Sequence, residues 1–218
     1  MKQNSANRRI VMRPAGSHAL LLEPADHTSV DALTHLLRRS PVDGVTDVLP
    51  AAQTVLITTD SRSDLGEVER RLHELFADFE PTSHVEDAEV EAIRIPVVYS
   101  GGDLGEVARI LGISTDDVIA EHTRRTWRCS FVGFAPGFGY LASSEPGLAV
   151  PRREESRTAV PAGSVALADG YSAVYPRRSP GGWQLIGRTS VSTWDTHNPQ
   201  PALITPGCSV QFVAEDIR

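Results

Sequence analysis

Apolar positions recur in two rhythms along this chain, and the point where one gives way to the other divides it. Residues 10–14 and 19–22 are short apolar runs on either side of Ala15-Gly16-Ser17, which predicts two strands joined by a glycine-bearing turn. Helical spacing follows at Val30, Leu33, Leu36 and Leu37, with Thr28 or Ser29 as cap and Pro41 as stop. Residues 45–49 and 54–58 are rich in β-branched side chains and read as strands separated by Pro50 and small residues. Over 63–79 the positions Leu65, Val68, Leu72, Leu75, Phe76 and Phe79 form one stripe, while Glu67, Glu69, Arg70 and Arg71 face away from it. A polar, acidic linker is expected at 81–89, and 91–99 returns to a strand in which Ile93, Ile95 and Val97 alternate with other residues. This order predicts a small α+β layer of roughly ninety residues whose helices cover one face of a sheet.

Residues 103–111 are helical by pattern, with Leu104, Val107, Ala108 and Leu111 in phase and Gly112 placed to end the helix. A second helix starts at Ser114, whose Ser-Thr-Asp-Asp sequence is a capping pattern, and Val118, Ile119 and His122 continue its inner face. Two helices joined at a glycine invite a helix-turn-helix reading, but Asp116, Asp117 and Glu121 would meet phosphate with the wrong sign. From residue 131 the rhythm changes. Nine of the 15 prolines and ten of the 17 glycines lie beyond that point, between short apolar runs, as the corners of a closed all-β domain require. Strands are expected at 128–133, 139–142, 164–167, 172–175, 183–188, 201–204 and 209–213. The predicted class is α+β, with an N-terminal α+β sandwich domain over 1–95 and a β-barrel domain over 96–218 that has a helical lead-in at 103–123.

Composition narrows the function classes. The 218 residues are 40% hydrophobic and 22% charged, as in an ordinary globular chain, and the net charge of -7 opposes a general nucleic-acid surface. Arg13, Pro14 and Gly16 interrupt the first apolar stretch, so no secretory signal is expected, and no run reaches membrane-spanning length. Cys129 and Cys208 are expected as free thiols of a cytoplasmic protein.

The densest stretch is FVGFAPGFGYL at 131–141, where Phe131, Phe134, Phe138 and Tyr140 alternate with Gly133, Gly137, Gly139 and Pro136. Such a stretch supplies either core or the wall of a binding site. The segment from Gly182 to Thr189 imitates a phosphate loop, but it carries Arg188 where lysine is needed and runs on into strand formers rather than a helix. The seven histidines have neither the i, i+4 pairing nor the cysteine partners of a zinc site, and Ser164 has no sequence cue for an activating base. Arg152, Arg153, Arg157, Arg177, Arg178 and Arg188 enrich the second half in guanidinium groups that can clamp a carboxylate.

Taken in order, DLGEVARILGISTDDVIAEH at 103, FVGFAPGFGYL at 131, Pro151-Arg152, VPAGSVAL at 160, Val174-Tyr175-Pro176, SPGGWQLIGRT at 179 and Pro206-Gly207 resemble the family of B-type subunits of 5-oxoprolinase. That family is also called allophanate hydrolase subunit 1, and it includes Kip-type inhibitors of a sporulation histidine kinase. The resemblance implies a cyclophilin-like β-barrel as the second domain. It also implies a companion cyclophilin-like subunit, of the C-type found in 5-oxoprolinase or the allophanate hydrolase subunit 2 type, a third subunit, and ATP consumed by the complex as it opens 5-oxoproline to glutamate. The alternatives it carries are a protein inhibitor of a sensor histidine kinase and the carboxyltransferase half of a urea-carboxylase-like enzyme. Phe134, Pro136, Gly137, Phe138, Tyr140, Arg152, Gly163, Ser164, Tyr175, Arg188 and Thr189 fall in its motifs and are the expected substrate or partner contacts. No metal is implied, and no catalytic residue is nominated. The chain departs from the family at residues 99–103, which make a shorter glycine loop, and at Ser172-Ala173-Val174-Tyr175, where Thr-Gly-Ile-Tyr is common.

Overall fold

The computed structural model describes residues 10–25, 29–77, 79 and 91–216. The proposed cap Thr28, the linker at 81–89 and the first nine residues lie outside the described residues. By its internal contacts the chain divides into two compact units, Met1–Ala88 and Glu89–Arg218.

In the first unit, β1 (Ile10–Pro14), β2 (Ala19–Pro24), β3 (Val45–Pro50) and β4 (Val55–Thr59) form an antiparallel sheet in the order β1-β2-β4-β3. Period-two alternation puts Leu20 and Leu22 of β2 beside Val55 and Ile57 of β4 on one face. That face buries Val30, Leu33 and Leu37 of α1 (Ser29–Arg39) and Val68 and Leu72 of α2 (Leu65–Leu75). The helix expected over 63–79 is shorter. Asp64 caps it, its carboxylate accepting from Gly66 N at 2.8 Å and Glu67 N at 3.4 Å, and Phe76 ends it.

The second unit is built on a seven-stranded sheet. Its strands are β5 (Ile93–Val97), β6 (Trp127–Val132), β7 (Gly139–Ala142), β9 (Ser164–Ala168), β10 (Tyr171–Val174), β12 (Gln184–Arg188) and β13 (Ser209–Ala214), in the order β12-β9-β10-β7-β6-β13-β5. One further antiparallel bridge, Val98 to Arg188, with N–H···O distances of 2.9 and 3.0 Å, joins the two edges and nearly closes the sheet into a barrel. The sequence places the strand at 91–99 with the first layer. In the structure β5 pairs in parallel with β13, from Ile93 opposite Val210 to Val97 opposite Ala214, and belongs to the second sheet. Local alternation made the strand visible, but a parallel partner at the far end of the chain leaves no local trace.

Every residue of β9 is buried, because both faces of the strand are covered. Val165 and Leu167 enter the barrel core with Trp127, Leu141, Val174, Ile186 and Phe212, whereas Ala166 and Ala168 join an outer layer with Phe138, Tyr175 and Trp183. The outer layer also holds Val160 of β8 (Arg157–Val160), which pairs with β11 (Ser179–Gly181) in a two-stranded sheet that the sequence reading lacked. The predicted helices appear as α3 (Leu104–Leu111) and α4 (Thr115–Arg124), and their Val107, Ala108 and Val118 pack into the barrel core. Gly112 ends α3 in the left-handed region, and Ser114 and Asp117 form the capping box of α4. The strand expected at 201–204 is absent. Pro201 has no N–H to donate, Leu203 N bonds Thr193 O at 3.1 Å, and one bridge, Trp194 to Ala202, forms there. Among the described residues no helix is long and apolar enough to cross a membrane.

Candidate functional site

A bulge organises the site. Cys129 lies opposite Leu141, but Phe131 lies opposite Tyr140, so Ser130 is the extra residue in β6. Regular alternation would keep Phe131 in phase with Cys129. The bulge instead leaves Cys129 in the barrel core and turns Phe131 to the outer layer, where its ring stacks on Tyr140 at 4.2 Å. Phe138 lies at the centre of that layer, edge-on to Phe134, Tyr140, Tyr175 and Trp183 at centroid distances of 5.1, 5.1, 5.3 and 5.4 Å. These edge-to-face arrangements place the positive rim of one ring against the negative face of the next.

At the tip of the β6–β7 hairpin, Phe134 is 57% exposed and has a φ of 66°. A left-handed backbone costs a residue of this kind about 1–2 kcal/mol. The surrounding turn imposes it, with Ala135 N bonded to Gly133 O at 2.7 Å and Phe138 N to Ala135 O at 3.0 Å. Phe134 forms the lip of an open cleft of about 410 Å³, lined by residues 132–137 on one side and by Trp194, Ala202, Ile204, Thr205 and Pro206 on the other. Trp194 and Leu203 add exposed apolar surface beside it.

The arginines sort themselves by partner. Arg153 Nη1 and Arg157 Nη2 both bond Asp103 Oδ1, at 2.9 and 2.7 Å, while Asp103 Oδ2 accepts from Leu185 N at 2.7 Å. Asp103 therefore stands at the N-cap position of α3 without capping the helix through its side chain. It is a buried carboxylate that ties the start of α3 to the 153–157 loop and to β12. The carboxylate these two guanidinium groups clamp belongs to their own chain. Arg152 pairs with Asp169 at 2.9 Å, both well exposed, and its charge acts on Tyr140 and Tyr175. Burial raises both phenol pKa values, and Arg152 opposes the rise.

Inside the unit, the wholly buried His122 of α4 stands between two hydroxyls, with Tyr99 Oη 2.7 Å from Nδ1 and Ser172 Oγ 2.8 Å from Nε2. A neutral imidazole suits that arrangement, donating to one hydroxyl and accepting from the other. Burial, with Arg125 nearby, pushes the His122 pKa down to about 3.

The model of the carboxyltransferase domain, subdomain C and D, matches residues 10–204. The chain belongs to that family. It is 46% identical over 132 residues to the B-type subunit of 5-oxoprolinase from Escherichia coli O157:H7, across 59% of this chain and 61% of that one. It is 35% identical over 177 residues to the B-type subunit of 5-oxoprolinase from Haemophilus influenzae, across 80% of this chain and 81% of the relative. Among solved structures, TTHA0988 superimposes with a TM-score of 0.72 at 33% identity, covering 95% of this chain and 41% of that one.

On this carboxyltransferase-type unit ten of the eleven expected contact residues separate into three places, while Arg152 stands apart, paired with Asp169. Phe134, Pro136 and Gly137 line the cleft. Phe138 and Tyr175 are buried in the aromatic layer, with half-buried Tyr140 beside them. Phe138, expected as a contact, is a core ring instead, because the hairpin turn folds it against Phe134. Gly163, Ser164, Arg188 and Thr189 meet at the β9–β12 corner. There Arg188 lies opposite Ser164, Thr189 N donates to Gly163 O at 2.8 Å, and Tyr175 N donates to Ser164 O at 2.9 Å. Ser164 is buried and Arg188 exposed. Residues 184–188 of the phosphate-loop imitation are strand β12, and the strand formers that follow at 189–193 form neither strand nor helix. The sequence reading missed Trp194, Thr205 and Pro206 as cleft residues, and Asp103 as the anchor of two arginines. Only the arginine enrichment pointed toward the latter.

Proposed function

We propose that this chain is the B-type subunit of an ATP-dependent amide hydrolase of the 5-oxoprolinase class, acting on 5-oxoproline or a related lactam or ureido substrate. The observation that carries this reading is the 35% identity to a B-type subunit of 5-oxoprolinase across 80% of the chain. The surface chemistry supports it. A ring held out at the lip of an open apolar cleft suits a protein partner, here the companion barrel subunit, since exposed aromatic anchors dominate interface energies. Arg188, exposed at the seam where the barrel closes, suits a carboxylate or the negative charge that develops as the lactam opens. ATP is consumed by the assembled complex in this reading, and the chain works in the cytoplasm with its catalytic groups shared between subunits. The family description favours one second reading, the carboxyltransferase half of a urea-carboxylase-like enzyme.

The test is reconstitution with the companion subunits, following glutamate release and ADP formation with each chain omitted in turn. Activity is expected only with all chains present, and Arg188→Ala is expected to lower turnover about tenfold or more while leaving the unfolding midpoint near the parent's. Full activity without this chain overturns the assignment. An unchanged rate in the Arg188→Ala complex removes the role given to that arginine. Transfer of carboxyl from carboxybiotin to urea, without glutamate release, selects the second reading.

A further inference from the structure

Cys129 and Cys208 are not isolated thiols. The β6–β13 register pairs Ser209 with Arg128 and Val210 with Trp127, and just beyond it a bulge at Gly207 (φ 93°) sets Gly207 and Cys208 together against Cys129. Cys129 N donates to Cys208 O at 2.9 Å and Gly207 N to Cys129 O at 2.7 Å, so the two backbones are tied together at this point. Residues set against each other across antiparallel strands have Cα atoms about 4.5–5.5 Å apart, within the range a disulfide spans. The Cys129 thiol donates to Phe131 O at 3.4 Å and lies close enough to the Cys208 thiol to act on its titration.

The two sulfurs differ in access. Cys129 is buried in the barrel core, whereas Cys208 is half-buried and follows the exposed Gly207. The Arg128 guanidinium lies beside that turn, its nitrogen 3.7 Å from where a Cβ on Gly207 would stand. The Cys129 thiol, aided by the Thr205 backbone and the Arg128 charge, lowers the Cys208 thiol pKa. One thiol is thus reachable and activated, and the other is held against it from within.

We propose that Cys208 and Cys129 form a peroxide-sensitive dithiol that closes to an intramolecular disulfide between β13 and β6. The Cys208 thiolate attacks one oxygen of a hydroperoxide. An S–O bond forms, the O–O bond breaks, and the leaving alkoxide takes a proton to become an alcohol, or water when the oxidant is hydrogen peroxide. Cys129 sulfur then attacks the Cys208 sulfenic sulfur, forming the S–S bond, and hydroxide leaves with the Cys129 proton as water. Two thiols and one hydroperoxide give one disulfide, one alcohol and one water. The turn affected, residues 205–208, continues directly from the Ile204–Pro206 wall of the cleft.

The test treats the full chain with hydrogen peroxide at a few equivalents and reads intact mass and non-reducing peptide maps. The expected product is a monomer lighter by two hydrogens, with the Cys129 and Cys208 peptides linked and both thiols recovered after dithiothreitol. In Cys129→Ala the reaction is expected to stop at Cys208, where dimedone traps the sulfenic acid. In Cys208→Ser, alkylation of Cys129 in the folded chain is expected to run at least tenfold slower than that of Cys208 in the parent. Two thiols still alkylatable after peroxide, a disulfide only between chains, or oxidation beginning at Cys129 each overturns the proposal, and the first of these needs no variant.

Discussion

Phe134 and Phe138 are four residues apart in one turn, yet their removal should have opposite consequences. Phe138 is 1% exposed and touches four other rings edge-on. A buried ring of this kind withdraws on the order of 150–250 Å² from water, and at about 25 cal/mol per Å² that is about 4–6 kcal/mol. Large-to-small substitutions of phenylalanine cost about 3–5 kcal/mol with the cavity included, so Phe138→Ala should lose about 4 kcal/mol. Phe134 is 57% exposed, which leaves less than half of that burial to lose, and its φ of 66° is a strain that glycine relieves by about 1 kcal/mol. Phe134→Gly should therefore unfold within about 1 kcal/mol of the parent. Urea denaturation followed by tryptophan fluorescence separates them, because Trp127, Trp183 and Trp194 all lie in the second unit and the first unit does not contribute. Equal losses in the two variants would refute the division into a core ring and a lip ring. A loss of less than about 1 kcal/mol in Phe138→Ala would refute the aromatic layer itself.

His122 carries a pH prediction. Its folded pKa, about 3, lies below the ordinary 6.5, so between those values the unfolded chain binds more protons. Its contribution to stability is therefore complete above about pH 6.5 and is lost, by up to about 1.4 kcal/mol per pH unit, as pH falls toward 3. The parent's stability should fall more steeply than that of His122→Gln across this window, and parallel profiles would sink the claim. Gly163→Ala puts a Cβ 2.3 Å from Thr189 O at a φ of +76°, and should cost at least about 2 kcal/mol by urea titration. Gly170→Ala, at +83° with open space around it, isolates the backbone strain and should cost about 1 kcal/mol; equal losses would mean the β9–β12 corner yields easily. Asp103→Asn leaves Arg153 and Arg157 without their carboxylate and should cost about 3–5 kcal/mol in the same titration, with part of it recovered when Arg157→Leu is added. No recovery would show that the arginines do not depend on that charge.

Much of the fold was legible because its signals are local. The stripe of Leu65, Val68 and Leu72, the glycine after Leu111 and the Ser114–Asp117 pair each act within a few residues, and the helices they specify form there, the first of them shorter than its stripe. The misses depend on distant partners. Ile93 and Ile95 announce a strand but not that β13 would claim it, and Ser179-Pro180-Gly181 becomes a strand only because β8 lies opposite. In the candidate site, aromatic density at 131–141 marks the stretch that carries the cleft lip and Phe138 of the aromatic layer, but period-two reasoning could not foresee the bulge at Ser130 that sends Phe131 outward. Arginine clustering was visible in the same way. That Asp103, about fifty residues earlier, would receive Arg153 and Arg157 follows from tertiary packing alone.

The parallel pairing of β5 with β13 also sets a timetable. Ile93 and Val210 are neighbours in the sheet and well over a hundred residues apart in the chain, so the barrel cannot close while the chain between them is still being made. At roughly 5–20 residues per second, β5 waits roughly 6–24 seconds on the ribosome for its partner. An apolar strand with an open edge is an aggregation risk for that whole interval. The next segments to emerge are α3 and α4, whose Val107, Ala108 and Val118 share a core with Ile95 and Val97. Helices of this length close their own turns within about a microsecond, so these are the first apolar elements made after Ile95 and Val97 with which they share a core.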